Sequence, residues 1–436
     1  MTTPEKNPAT VDNQYHDPRL WPVATVMATG IFATTFVQLQ GLGYLPLNSL
    51  LMKQMGLDSD TAATFMSLAM LPWSFKVIAG LLVDGVPLFG SRRKGYLLMS
   101  ALTAILMWAL MGLVPGNYHL LLALAIGMNV AIVFGSTTSG GLLVEAGQRF
   151  GVSGRLSSLR VFAQNLGAGL GLPLGGYLAG KALGWTSLAA VLPLLCMFFA
   201  AWFLLKEPPA AARVEHGRSA GQQLVHIGLS IWRQIQNVLR REMLLPAALL
   251  FFIQAVPTFR STCFYEYQTK TLNYSDAALG WLGLAGYGVA LLSSGIYAWW
   301  CRKVSLRTSL YSGVFLVALS ALPYLFYNAY TPYMPRAVAI EAVGTFLQYL
   351  AYLPLFDMAV RSTPKGSEAL GYSLLISVWN IGLMIGTKTG PMLYQRVLNK
   401  DMNTLIWINA VVTLAGVVLV FLLPKALVDQ REKVKV

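Results

Sequence analysis

Residues 72–97 read PWSFKVIAGLLVDGVPLFGSRRKGYL. An apolar run closes on Gly80 and Asp84, a short loop with Pro and Gly follows, and Arg92, Arg93 and Lys94 precede a second apolar run. Two membrane helices joined by a very short basic loop give this pattern, because Lys and Arg collect in cytoplasmic loops. A carboxylate at a helix end beside loop arginines can also form short charge-assisted hydrogen bonds. Asp84, Arg92 and Arg93 are therefore candidates for a charge lock at the membrane surface. Glu145 ends a later apolar run at the same face and joins them.

The rest of the chain repeats the apolar theme. Of 436 residues, 56% are hydrophobic and 11% charged, against roughly 25% charged in soluble proteins. Apolar runs long enough to span a bilayer as helices recur along the whole length. The segments read as 21–48, 60–84, 95–114, 119–145, 155–181, 184–205, 244–271, 277–300, 308–328, 333–361, 369–396 and 402–424, twelve in all. With the N-terminus inside, 22 of the 32 Lys and Arg fall in the inner loops and tails, 5 in the outer loops and 5 within segments. That asymmetry orients the protein with both termini cytoplasmic. The net charge of +14 is then a topology signal, and nucleic acid is not expected as a partner.

The longest loop divides the segments six and six. The expected organisation is a cytoplasmic tail (1–20), a six-helix bundle (21–205), a linker (206–243), a second six-helix bundle (244–424) and a cytoplasmic tail (425–436). In the linker, Leu224, Ile227, Ile231, Ile235, Val238 and Leu239 recur at helical spacing. This reads as an amphipathic helix on the inner membrane surface or one packed on loops. Six plus six suits two repeated halves. The polar first 20 residues resemble neither a signal nor a transit peptide. The three cysteines and four histidines show no disulfide or metal spacing, so no metal and no cofactor are expected. No phosphate-binding glycine loop and no cluster of catalytic side chains at one membrane face is evident, so an enzyme is not expected.

Glycines four apart, at 167, 171 and 175 and at 382, 386 and 390, let helix backbones approach closely in lipid. Such contacts suit either static packing or sliding. Ionisable groups at membrane depth usually face a cavity or one another. Glu341, Thr345, Gln348 and Tyr352 share one helical face, as do Arg260, Phe264, Tyr267 and Thr271. Asn380, Met384 and Lys388 lie opposite the second glycine stripe. Gln38 and Thr138 are further candidates, the latter within a Ser/Thr run whose hydroxyls also suit their own backbone carbonyls. Arg160 and Gln164 share the first glycine stripe, so packing and cavity roles are both open there. Lys76 and Asp357 read as gate or packing residues. From these residues, substrate binding is expected at Arg260, Lys388, Gln348, Tyr267, Asn380, Gln38 and Thr138, and proton coupling at Glu341, paired with the buried cations.

The opening stretch, with its Pro-Trp, its Lys and its basic loop, resembles the folate–biopterin transporter family of the major facilitator superfamily. VQLQGLGYLPLNSLLMKQMGL (37–57), LVEAG (143–147), STCFYEYQTKTLNYSDAALGWLG (261–283) and KGSEALGYSLLISVWNIG (365–382) are similar to other parts of it. The resemblance implies an all-α membrane fold of twelve helices in two six-helix bundles, with alternating access around a cavity lined mainly by segments 1, 4, 7 and 10. It also implies a small organic-anion substrate, folate- or pterin-like, with proton symport. Ser136 and Gly140 stand where the family pattern has acidic residues. Arg260, Glu266 and Lys388 also depart from it. Other anionic metabolites (a peptide-linked sugar, a siderophore, a dicarboxylate) are the alternative, and a non-transporting receptor a more distant one. A monomer in a bacterial inner membrane is expected.

Overall fold

A computed structural model describes residues 20–57, 59–114, 116–207, 232, 235–236, 241–274, 276–327 and 334–429. The described residues are almost wholly helical. The long helices are α1 (Leu20–Phe36), α2 (Thr64–Gly85), α3 (Lys94–Leu113), α4 (Tyr118–Phe150), α5 (Ser153–Leu178) and α6 (Leu183–Leu204). They continue with α7 (Arg241–Glu266), α8 (Asp276–Trp300), α9 (Leu306–Ala321), α10 (Met334–Ser362), α11 (Glu368–Met392) and α12 (Met402–Leu422). Ten of the spans are long and apolar enough to cross a membrane. The other two are α1, with 17 residues, and α5, which is rich in Gly and Ser. The amphipathic stretch expected around Leu224–Leu239 lies almost entirely outside the described residues.

In the first half two segments depart from regular α-helix. The first apolar segment stops at Phe36, because the backbone folds into a turn in which Gly41 N–H donates to Gln38 O at 2.8 Å and Leu42 N–H to Phe36 O at 3.1 Å. A short helix, Tyr44–Ser49, and a π-helical turn, Leu50–Gln54, follow. Within α2 a 3₁₀ stretch, Leu71–Phe75, interrupts the α-helix at Pro72, which has no N–H to donate to the preceding turn. By contrast α4 runs 33 residues from an Asn117 cap to Gly151, whose φ of 67° ends it in a conformation that glycine adopts without strain.

Helices α1–α6 pack mainly on one another, as do α7–α12, and the two halves meet through α2 against α11 and α5 against α8. The two glycine stripes have matching tasks. A Cβ at Gly167 would meet Phe32 O at 2.9 Å, and Gly171 and Gly175 face the backbone of Phe36 and Leu42. Gly382, Gly386 and Gly390 likewise face the carbonyls of Phe251, Ala255 and Phe259. So α5 lies backbone-to-backbone on α1, and α11 on α7. Helices five and one of each half thus form the same glycine-lined pair, a kinship between the halves that residue identities do not display. Both stripes act as packing surfaces within a half.

Candidate functional site

Basic loops mark one face of the molecule, and there the halves are bound together by charge. Asp84, at the end of α2, has no exposed side-chain surface and meets Arg93 Nη1 at 2.8 Å and Arg92 Nη2 at 3.4 Å. Its other oxygen accepts the Leu370 N–H of α11 at 2.8 Å. Glu368, in the first turn of α11, takes Arg92 at 3.1 Å and Arg93 at 3.4 Å. Glu145 reaches Arg93 from α4 at 3.8 Å. Glu207 holds the loop in place: one of its oxygens accepts the N–H groups of Arg92, Arg93 and Lys94 at 3.1, 3.1 and 3.3 Å. A carboxylate is favoured there because α3 begins at Lys94 and its free amides and dipole attract negative charge.

A second lock lies beside the first. Gln148 of α4 donates to Val360 O at 2.9 Å and Thr363 O at 2.7 Å, and Arg361 of α10 donates to Ser153 at 3.0 Å. Arg361 is aimed by the buried Asp357, which it meets at 2.8 and 2.9 Å and which also accepts from Tyr297 at 3.2 Å. Asp357, read from sequence as a gate or packing residue, is 1% exposed. Gln148 carried no sequence signal, because an amide at a helix end looks like any solvated side chain.

Between this face and the opposite one lies a central cavity of about 390 Å³, lined by both halves. From the first half come Gln38, Trp73, Lys76, Ser136, Gly140, Arg160 and Gln164; from the second come Phe356, Tyr372, Ile376, Trp379 and Asn380. Both basic side chains, Lys76 and Arg160, come from the first half. Lys76 donates to Ser136 Oγ at 2.9 Å and lies 5.3 Å from the centroid of Trp73. Trp73 is itself pinned by its N–H to Asn129 at 2.9 Å. The Arg160 guanidinium stands 4.5 Å from the centroid of Phe356. Among the described residues no carboxylate lines this cavity. An uncompensated cation at membrane depth is costly, so Lys76 and Arg160 are the charges whose environment distinguishes this cavity.

A side cavity of about 420 Å³ belongs to the second half, lined by Gln268, Tyr287, Glu341, Thr345, Gln348 and Tyr349 among others. The Glu341 carboxylate accepts from Tyr324 Oη at 2.8 Å, Gln268 Nε2 at 3.1 Å and Tyr327 Oη at 3.4 Å. Among the described residues no direct Arg260–Glu341 ion pair forms. Arg260 instead lies 3.7 Å from the ring centroid of Tyr324, so a phenol ring stands between the two charges.

A family model matches residues 39–435, and it is that of the BT1 family. The chain belongs to the BT1, or folate–biopterin transporter, family. Similar proteins include the folate-biopterin transporter of Synechocystis sp., 29% identical over 383 residues, which are 83% of this chain and 74% of that one. Folate transporter 1 of Plasmodium falciparum is 22% identical over 336 residues, 73% of this chain and 62% of its own. Among solved structures, the proton:xylose symporter XylE gives a TM-score of 0.68 at 13% identity, with 97% of this chain and 99% of that chain covered. The human organic anion transporter MFSD10 gives 0.69 at 13%, with 92% and 99% covered. These two show the fold, that of the major facilitator superfamily. The BT1 protein is a multi-pass membrane transporter; the family is one of transporters, not of enzymes.

The site residues expected for this BT1 protein divide on inspection. Gln38 and Asn380 line the central cavity, and Gln348, with its amide on Tyr352 at 2.6 Å, lines the side cavity with Glu341. Tyr267 packs its ring 5.8 Å from Phe264. Thr138 is fully buried and bonds Phe134 O at 2.7 Å, the self-satisfied state open to a helical threonine. Arg260 is buried outside both cavities, and Lys388 is exposed outside both. The cations that line the central cavity are Lys76 and Arg160, which the sequence reading had not assigned to substrate.

Proposed function

We propose that this BT1 protein carries a small organic anion by alternating access, driven by protons, with the anion held in the central cavity. The observation that carries the reading is that Lys76 and Arg160 line a cavity with no carboxylate among its described lining residues. The volume suits a metabolite-sized ligand. A folate-like cargo, the kind named for the relatives, fits the chemistry: carboxylates for the cations and a flat ring for Trp73, Trp379 and Phe356. With the basic face cytoplasmic, Asp84, Arg92, Arg93, Glu145 and Glu368 form the inner gate, closed in this arrangement. Glu341 is the proton-coupling group. A proton on its carboxylate turns one oxygen from acceptor to donor, loosening the tyrosines that separate it from Arg260.

The test is binding and uptake of labelled folate by the purified protein and by reconstituted vesicles, with the outside more acid. Lys76→Ala should weaken binding about tenfold or more, the scale of a lost charge-assisted contact. Glu341→Gln should keep binding and lose the dependence of uptake on the pH gradient. Wild-type affinity in the Lys76 variant would remove the anion site, and gradient-driven uptake by the Glu341 variant would remove its coupling role.

A further inference from the structure

Two residues that line the central cavity each carry a buried donor with no hydrogen-bond partner among the described residues. One is Arg160 Nη1 on α5, in the first half; the other is the Tyr372 hydroxyl on α11, in the second. Tyr372 is 4% exposed. Its ring is confined on one side by α4, where even a Cβ at Gly140 would lie 3.0 Å from it. The Arg160 guanidinium lies 4.5 Å from the Phe356 centroid and 5.7 Å from that of Tyr372. Rings against a planar guanidinium occupy its faces and leave its edge donors free. A buried polar atom without a partner is costly, and its persistence at a cavity wall points to a ligand atom that completes it. Both atoms are donors when un-ionised tyrosine is considered, so the missing group is an acceptor, and in a cavity lined by both Arg160 and Lys76 it is an anionic one.

We propose that Arg160 and Tyr372 together clasp one carboxylate of the cargo, one donor from each half, and that this clasp sets the preference for carboxylated over neutral ligands. The assignment deepens the reading of the central cavity as an anion site and rests on it. A carboxylate suits the geometry because its two oxygens accept in one plane from a guanidinium edge while keeping lone pairs for a hydroxyl. The clasp also reaches the closed face. Tyr372 follows by two residues the Leu370 amide to which Asp84 bonds, so the clasp sits one turn along α11 from the residues that the lock grips. Lys76 contributes charge from the other wall, where Ser136 holds its amine.

Three labelled probes test this on the purified full-length protein: folate and 4-aminobenzoylglutamate, which carry carboxylates, and pterin, which has none. The variants are Arg160→Lys, which keeps the charge and loses the planar fork, and Tyr372→Phe, which loses only the hydroxyl. Thermal midpoints check that both fold. Each variant should weaken both carboxylated probes about tenfold, the scale of a hydrogen bond to a charged group, and leave pterin binding within about twofold. Equal losses for all three probes would mark a structural role and overturn the clasp. Folate affinity kept by both variants but lost in Lys76→Ala would overturn the clasp and leave the anion cavity standing. A wild-type protein that binds none of the three probes would overturn both.

Discussion

Lys76 reaches a serine hydroxyl at the wall of the central cavity, where a carboxylate would have neutralised it. Replacing Ser136 by Asp should pair the ammonium, cancel much of the cavity's attraction for anions and weaken folate binding about tenfold, since a close opposite charge outweighs a neutral hydrogen bond. Equilibrium binding checks it, and unchanged affinity in Ser136→Asp would show that Lys76 does not act on the ligand. The sequence reads Lys76 as a gate or packing residue, and the structure puts it at the wall of the central cavity. Arg260 differs from its expected surroundings in another way. A buried cation was expected to meet a carboxylate, but Tyr324 offers its ring to the cation and its hydroxyl to Glu341, which satisfies both at once.

At the scale of helices, the glycine stripes can be weighed against ordinary glycines. Gly386 faces the Ala255 carbonyl so closely that no Cβ fits without backbone movement, whereas Gly295 on α8 has nothing within 4 Å of a Cβ. Gly386→Ala should therefore cost about 1–3 kcal/mol, the scale of overpacking, and lower the thermal midpoint in detergent. Gly295→Ala should be neutral or slightly stabilising, because alanine loses less backbone freedom in a helix. Equal midpoints for the two variants would refute the tight α11–α7 contact. The four-residue period was legible in the sequence, but its partner was not. Period tells which face is small, and only the assembled bundle tells which helix lies on it.

Across the whole molecule, the first lock holds α2 to α11 and the second holds α4 and α5 to α10. Asp84→Asn removes the charge that Arg93, itself fully buried, faces at 2.8 Å. Breaking one side of a buried pair typically costs about 3–5 kcal/mol, here drawn from the closed arrangement. Cys301 is a native reporter: it is 2% exposed and packs against Gly154 across the α5–α8 contact. In a Cys196→Ser, Cys263→Ser background, Asp84→Asn should raise maleimide labelling of Cys301 from the basic face. Labelling equal to the parent would show that the Asp84 cluster does not hold the halves closed.

The order of helices, the basic face and the Asp84–Arg92–Arg93 cluster were decided by the sequence alone. Each depends on residues near one another in the chain: a run of apolar side chains, the charges at its ends, a carboxylate eight residues before an arginine. The cavity was decided only by tertiary structure. Lys76, Arg160, Phe356 and Tyr372 come from four helices in two halves, and helical periodicity assigns a side chain to a face without saying what that face meets. The same limit hid Glu207, whose carboxylate caps α3 from more than a hundred residues away, and Gln148, whose partners are carbonyls of α10 and the loop after it. Backbone groups carry no sequence signature, so contacts made to them become visible only when the chain is folded.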